Sequence, residues 1–167
     1  MQTSISSSRT SVSELTKIAL VAALYVAVTV VLSVISFGAV QLRLSEMFNY
    51  LALYNKRYVI AVTLGVVLAN FMSPTWVLDV PIGGISTFIV LLICRACTKN
   101  IQNMKIRMVI TALIVTASMF TVAGQLTIML DLPFWPTYLS VAIGELVSMT
   151  VGGVTIYLLN KKMNFAK

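Results

Sequence analysis

The chain has 167 residues, of which 59% are hydrophobic and only 10% charged, with a mean hydropathy of +0.96. That balance excludes a soluble globular domain and describes an integral membrane protein, long enough for one helical bundle and too short for a second domain. The net charge of +7 comes from 12 Lys and Arg against 5 Asp and Glu, with no His, so the commonest metal ligand and general base are missing.

Residues 1–10, "MQTSISSSRT", read as a polar cytoplasmic tail. Ser11 with Glu14 forms a capping box ahead of an apolar run. That run is about 20 residues long, lacks a clear A-x-A site and is followed by further apolar segments, so it reads as a retained transmembrane helix. Spans are expected over 17–35, 58–72, 82–98, 106–129 and 136–160, with Pro74, Pro81, Pro133 and Pro136 between them. Residues 45–55, "SEMFNYLALYN", are too few to cross in the usual way and are expected to form a partial or tilted helix. The expected fold is an all-α, six-helix membrane domain over 11–160 with a short second helix, ending in a basic tail, 161–167.

Basic residues orient the spans. Arg9, Lys17, Lys56, Arg57, Arg95, Lys99, Lys105, Arg107, Lys161, Lys162 and Lys167 fall on one side if there are six crossings. Lys and Arg collect in the cytoplasm, so both termini are expected inside. Connections 36–46, 73–81 and 130–136 then lie outside. They hold Glu46, Asp79 and Asp131, and Arg43 is their sole basic residue. In a membrane protein the basic excess addresses loops, so no nucleic-acid partner is expected.

Glu145 is the sharpest polar signal. It lies about nine residues into the last span, roughly 13 Å below its outer end at 1.5 Å per residue. A carboxylate at that depth is costly unless paired or facing a wet cavity. No Lys or Arg in another span is expected at matching depth. Arg43, Ser45, Glu46 and Asn49 cluster in "AVQLRLSEMFNY", where a loop ion pair is the plainer reading of Arg43 and Glu46. Asn70 and Gln125 are candidate ligand contacts, although each alone reads more readily as an interhelical hydrogen-bonding group. Asp79 could cap span four. Trp76, Phe134, Trp135 and Tyr138 fit an interfacial aromatic belt or a stacking surface. All these groups lie in the outer half, which fits a pocket open outward and closed below; a channel would be polar along its whole length.

Cys94 and Cys97 form a C-x-x-C without further ligands and read as small apolar filler. There is no G-x-x-x-x-G-K-[ST], so the chain does not bind ATP through a P-loop. No cofactor and no metal are expected. Small residues recur every fourth position at Ala19, Ala23 and Ala27, at Ala61, Gly65 and Ala69, and at Gly144, Ser148 and Gly152. Such faces permit close helix approach, mostly inside the bundle, and one of them could serve a partner protein.

"VQLRLSE" at 40–46, "LDVPIGGISTF" at 78–88, "GEL" at 144–146 and "ALVAALYVA" at 19–27 carry a resemblance over about Lys17 to Leu159. The chain resembles the substrate-binding (S) components of energy-coupling factor transporters, and within them the queuosine-precursor transporter family. The resemblance implies a six-helix bundle in the cell membrane that binds a micronutrient from outside. It implies docking of Ala19, Ala23 and Ala27 on a transmembrane coupling subunit, and drive by two cytoplasmic ATPases. The chain itself would then not be an enzyme. The ligand implied is a 7-deazaguanine, with Arg43, Ser45 and Glu46 as lid and wall and Glu145 as floor. A carboxylate would accept from N1–H and the exocyclic amine, an aminomethyl ammonium would need a second acid, and Trp76, Trp135 or Tyr138 would stack on the ring. Three other readings remain: an S component for another vitamin, a proton-coupled transporter using Glu145, and a structural subunit, which leaves Glu145 unexplained.

Overall fold

The computed structural model describes residues 12–36, 42–163 and 165. Within them lie seven α-helices and one 3-10 helix: α1 (Val12–Val31), α2 (Ser33–Ser36), the 3-10 helix (Leu44–Leu53), α3 (Arg57–Asn70), α4 (Trp76–Thr98), α5 (Met104–Ser118), α6 (Phe120–Leu130) and α7 (Phe134–Lys162). By length and composition four stretches could cross a membrane: Val12–Val31, Trp76–Thr98, Met104–Leu130 and Phe134–Lys162. Ser11, residues 1–10, part of the 36–46 connection and part of the 161–167 tail lie outside the described residues. The capping box of Ser11 with Glu14 therefore lies partly outside them; Glu14 itself sits 3.9 Å from the buried Arg57 guanidinium.

Helix α1 packs on α3, α3 on α4, and α7 on the 3-10 helix. Glycine makes two of these contacts close. A Cβ on Gly65 would lie 2.7 Å from the Tyr25 Cβ, and one on Gly152 would lie 2.8 Å from the Met47 Cα. The small faces of α3 and α7 are therefore spent inside the bundle, where Ala61, Ala69, Gly144 and Ser148 are buried. The α1 face differs: Ala19, Ala23 and Ala27 all point outward and are exposed.

Three expectations are corrected. The short segment is a 3-10 helix, marked by i to i−3 bonds such as Glu46 N–H to Arg43 O at 3.0 Å and Tyr54 N–H to Leu51 O at 3.0 Å. At about 2.0 Å per residue its ten residues reach roughly 20 Å, a third more than an α-helix of that length. Its last carbonyls, orphaned by the helix end, accept from guanidinium groups: Arg95 donates to Ala52 O and Arg107 to Leu53 O at 2.6 Å.

The expected span 106–129 falls in one stretch long and apolar enough to cross, Met104–Leu130, but it is two helices rather than one, since α5 stops at Ser118 and α6 starts at Phe120. Neither Pro nor Gly sits at the break. The Ser118 hydroxyl donates to Val115 O at 2.6 Å and the Thr121 hydroxyl to Ser118 O at 2.9 Å, and such back-bonding bends helices. Finally, Pro81 and Pro136 lie inside α4 and α7 rather than between spans. Pro136 is the third residue of α7, where its missing N–H has no intrahelical acceptor to lose.

Candidate functional site

The 3-10 helix determines how the polar cluster is presented. With three residues per turn, positions i and i+3 eclipse, so Arg43, Glu46 and Asn49 stand in one row. All three line a cavity of about 60 Å³, together with Gln125 of α6 and Glu145 of α7. Arg43, which precedes the 3-10 helix rather than lying in another span, is the cation that shares this cavity with Glu145.

Glu46 is held from three sides. Tyr25 Oη donates to its Oε1 at 2.5 Å, Asn49 Nδ2 donates to its Oε2 at 2.5 Å, and Arg43 Nη1 lies 3.9 Å from Oε1. Ser45 points away from the cavity and exchanges a 2.6 Å hydrogen bond with Thr29 of α1. The row is therefore pinned to α1 by two separate contacts, at Glu46 and at Ser45.

Three buried atoms on residues that line this cavity have no hydrogen-bond partner among the described residues: Glu145 Oε1, Asn49 Oδ1 and Gln125 Nε2. Glu145 is only 2% exposed. A buried polar group left unpaired costs about 1–3 kcal/mol, more when charged, and such groups are rare without a reason. Two acceptors and one donor on residues around a common space are the kind of groups that recognise a small polar molecule. The hydroxyl-bearing Ser86, Thr87, Ser118 and Thr121 complete its rim. None of these four was expected; Ser86 and Thr87 stand in the "IGGISTF" stretch, and Ser118 and Thr121 flank the helix break.

The other expected residues sit around the cavity rather than on it. Asn70 is buried, with Nδ2 donating to Asp79 O at 2.7 Å and Oδ1 unpartnered; its amide abuts the face of Gly83, which does line the cavity. The Asp79 carboxylate does not cap its helix by the N-cap position. It accepts from the Ser73 hydroxyl and from the Thr75 hydroxyl at 2.7 Å, fastening the α3–α4 turn. Trp76 stacks on Phe71 at 6.0 Å. Trp135 meets Phe134 edge-on at 5.2 Å and Tyr138 stacks on Phe134 at 6.2 Å. Among the described residues no aromatic side chain lines the cavity. Two larger depressions, of about 490 and 540 Å³, are open and overwhelmingly apolar.

A strongly apolar helical bundle that encloses a small cavity lined in part by charged and polar side chains, with buried donors and acceptors left unpartnered around it, has the build of a membrane protein that binds a small solute. The comparisons with known proteins agree. The family described as QueT transporter matches residues 15–162. The chain is also similar to the Queuosine precursor transporter QueT of Lactococcus lactis subsp. cremoris (strain MG1363), at 39% identity over 163 residues, covering 92% of this chain and 96% of that protein. The chain belongs to the QueT transporter family. No solved structure matches it.

Proposed function

We propose that this chain is the substrate-binding membrane subunit of an energy-coupling factor importer and that it takes up a queuosine precursor. The ligand class is a 7-deazaguanine: the 7-aminomethyl form, its 7-cyano relative, or queuine. The observation that carries this reading is that Glu145, Asn49 and Gln125 line one cavity and each keeps a buried polar atom with no partner among the described residues. A guanine edge offers adjacent donors at N1 and the exocyclic amine beside an acceptor at O6. One carboxylate takes both donors in a charge-assisted bidentate contact. Gln125 Nε2 and Arg43 supply donors for O6, while Glu46 stands ready for an ammonium on the 7-substituent. The name of the Lactococcus relative supports the substrate class.

The proposal extends to topology and partners. Six crossings are made by α1, the 3-10 helix, α3, α4, the α5–α6 pair and α7 of a single domain spanning 11–160, with both termini in the cytoplasm and the ligand site facing outward across the plasma membrane. The exposed Ala19, Ala23 and Ala27 face docks on a transmembrane coupling subunit, and two cytoplasmic ATPases drive transport. At about 60 Å³ the cavity holds roughly two water molecules' share of liquid, whereas small-molecule pockets run to about 300–1,000 Å³. Ligand entry therefore requires the lining to part. The break at Met119 and the start of the 3-10 helix both border the cavity, and both are places where regular backbone is already interrupted.

Calorimetry on the purified chain tests the ligand, with a panel of 7-deazaguanines, guanine and unrelated vitamins. Binding confined to the deazaguanines is the expected result; tight binding of a different vitamin overturns it. Uptake in vesicles separates the importer from a proton-coupled transporter working through Glu145. Transport that needs the ATPase module supports the proposal, and transport by the chain alone on a proton gradient refutes it.

A further inference from the structure

Helices α5 and α7 leave a groove of about 490 Å³ between them on the outer surface of the bundle, separate from the polar cavity. Val109, Ala112 and Leu113 of α5 form one wall and Leu146, Val154 and Leu158 of α7 the other. On each helix these residues recur at three- and four-residue intervals, which places them in one stripe. The floor is deep because Gly153 carries no side chain; a Cβ there would lie 3.2 Å from the Tyr50 hydroxyl. From Leu146 to Leu158 the groove runs about 18 Å at 1.5 Å per residue. Half the hydrocarbon thickness of a bilayer is about 15 Å.

One end of the groove is charged. Tyr157 closes it, and two ammonium groups converge on that ring: Lys105 Nζ at 5.6 Å and Lys161 Nζ at 5.2 Å from its centroid. The chain has five acidic side chains, and none of them answers these lysines. Glu46 and Glu145 line the cavity, Asp79 is held at the α3–α4 turn, Asp131 ends α6, and Glu14 lies against Arg57. Two like charges drawn to one ring at the mouth of an apolar slot of single-leaflet length are complementary to a molecule with an anionic head and an acyl chain.

We propose that this groove is a binding site for an anionic phospholipid of the leaflet at the basic end of the bundle. One acyl chain lies along α5 and α7, and the phosphate sits between Lys105 and Lys161. The Tyr157 ring holds the two ammonium groups in place from below. The seated chain covers apolar surface that helix packing leaves open, so the lipid acts as a wedge between α5 and α7, the helices bordering the polar cavity from two sides.

The test counts bound lipid by native mass spectrometry on detergent-purified protein titrated with phosphatidylglycerol or with phosphatidylcholine of equal chain length. Wild type should prefer the anionic lipid by at least about tenfold, since each lysine near a phosphate surface contributes on the order of 1 kcal/mol. Soluble glycerol phosphate should not compete. The double variant Lys105→Gln/Lys161→Gln should lose the preference while keeping its unfolding temperature, and Ala112→Phe should reduce binding of both lipids by filling the slot. Equal affinity for the two lipids in wild type overturns the proposal, as does a preference that survives in the folded double variant. Competition by glycerol phosphate would make the occupant a soluble phosphate, and a dimer dissolved by Ala112→Phe would make it a second copy of the chain; either outcome also overturns the lipid assignment.

Discussion

Tyr25 joins the exposed first helix to the cavity: its hydroxyl donates to Glu46 Oε1 at 2.5 Å, from the helix that presents Ala19, Ala23 and Ala27 outward. The Tyr25 ring cannot swing aside. It is fully buried, and Gly65 backs it closely enough that even a methyl group there would collide. A second tie runs one turn further on, from Thr29 to Ser45. Any displacement of α1 therefore acts on the 3-10 helix at the residues that carry Arg43, Glu46 and Asn49.

Tyr25→Phe removes that tie with little change of shape. The variant leaves a buried carboxylate oxygen short of its best donor, which costs about 2 kcal/mol. The expected outcome is a lower unfolding temperature and ligand affinity reduced about tenfold, read by calorimetry. Thr29→Val should produce a smaller loss of stability, because a neutral hydroxyl pair is worth less than a bond to a carboxylate.

The six-crossing topology is tested by labelling single cysteines in a background lacking Cys94 and Cys97. Thr75→Cys should react with an impermeant thiol reagent added outside, and Asn103→Cys should react only after the membrane is opened. Reaction at 103 from outside would reverse the proposed orientation.

Ala23→Leu places a branched side chain on the exposed α1 face without touching the cavity. Uptake that depends on the ATPase module should fall to background, and calorimetric affinity should stay within about twofold of wild type. A well-expressed variant with normal uptake would remove this face as the docking site.

Gly152→Ala tests the packing of α7 on the 3-10 helix. Its Cβ would meet the Cβ of Met47 and lie 2.8 Å from the Met47 Cα. Backbone cannot yield as a flexible side chain can, so overpacking should cost about 1–3 kcal/mol and lower the unfolding temperature by several degrees. Gly124→Ala, where a Cβ meets nothing within 4 Å, serves as the control and should be neutral or stabilising.

The apolar spans were legible because a crossing helix leaves a run of about 20 residues that few other structures need. The 3-10 helix was not legible in kind. Eleven residues ending at Asn55 have the same hydropathy in either helix, and only the tighter winding brings positions 43, 46 and 49 into line. The break at Met119 was hidden because it arises from the Ser118 and Thr121 hydroxyls rather than from Pro or Gly. Glu145 stood out as a charge in an apolar run, and Arg43 as a cation among acidic connections; that they share a cavity is tertiary information. The outer aromatics had two readings in sequence, and in the fold Trp76, Trp135 and Tyr138 are engaged with Phe71 and Phe134.

Glu145→Gln decides the proposed ligand contact. The substitution keeps the side-chain shape but replaces one acceptor oxygen by a donor, so a guanine edge would bring its two donors against one acceptor and one N–H. Loss of that bidentate contact in a site that is 2% exposed should cost on the order of 2–5 kcal/mol, by analogy with truncated buried charge pairs, which is well over tenfold in affinity. The free protein should respond in the opposite sense: Glu145 Oε1 has no partner there, so removing the charge should leave stability unchanged or raise it. Glu46→Gln separates the two carboxylates. It disturbs the bonds from Tyr25 and Asn49 and should lower both stability and affinity, with the larger affinity loss for the 7-aminomethyl ligand than for the 7-cyano one, because only the former carries an ammonium. If Glu145→Gln folds and binds 7-aminomethyl-7-deazaguanine as tightly as wild type, the guanine edge is read elsewhere and the unpartnered Oε1 serves the packing of α7 alone.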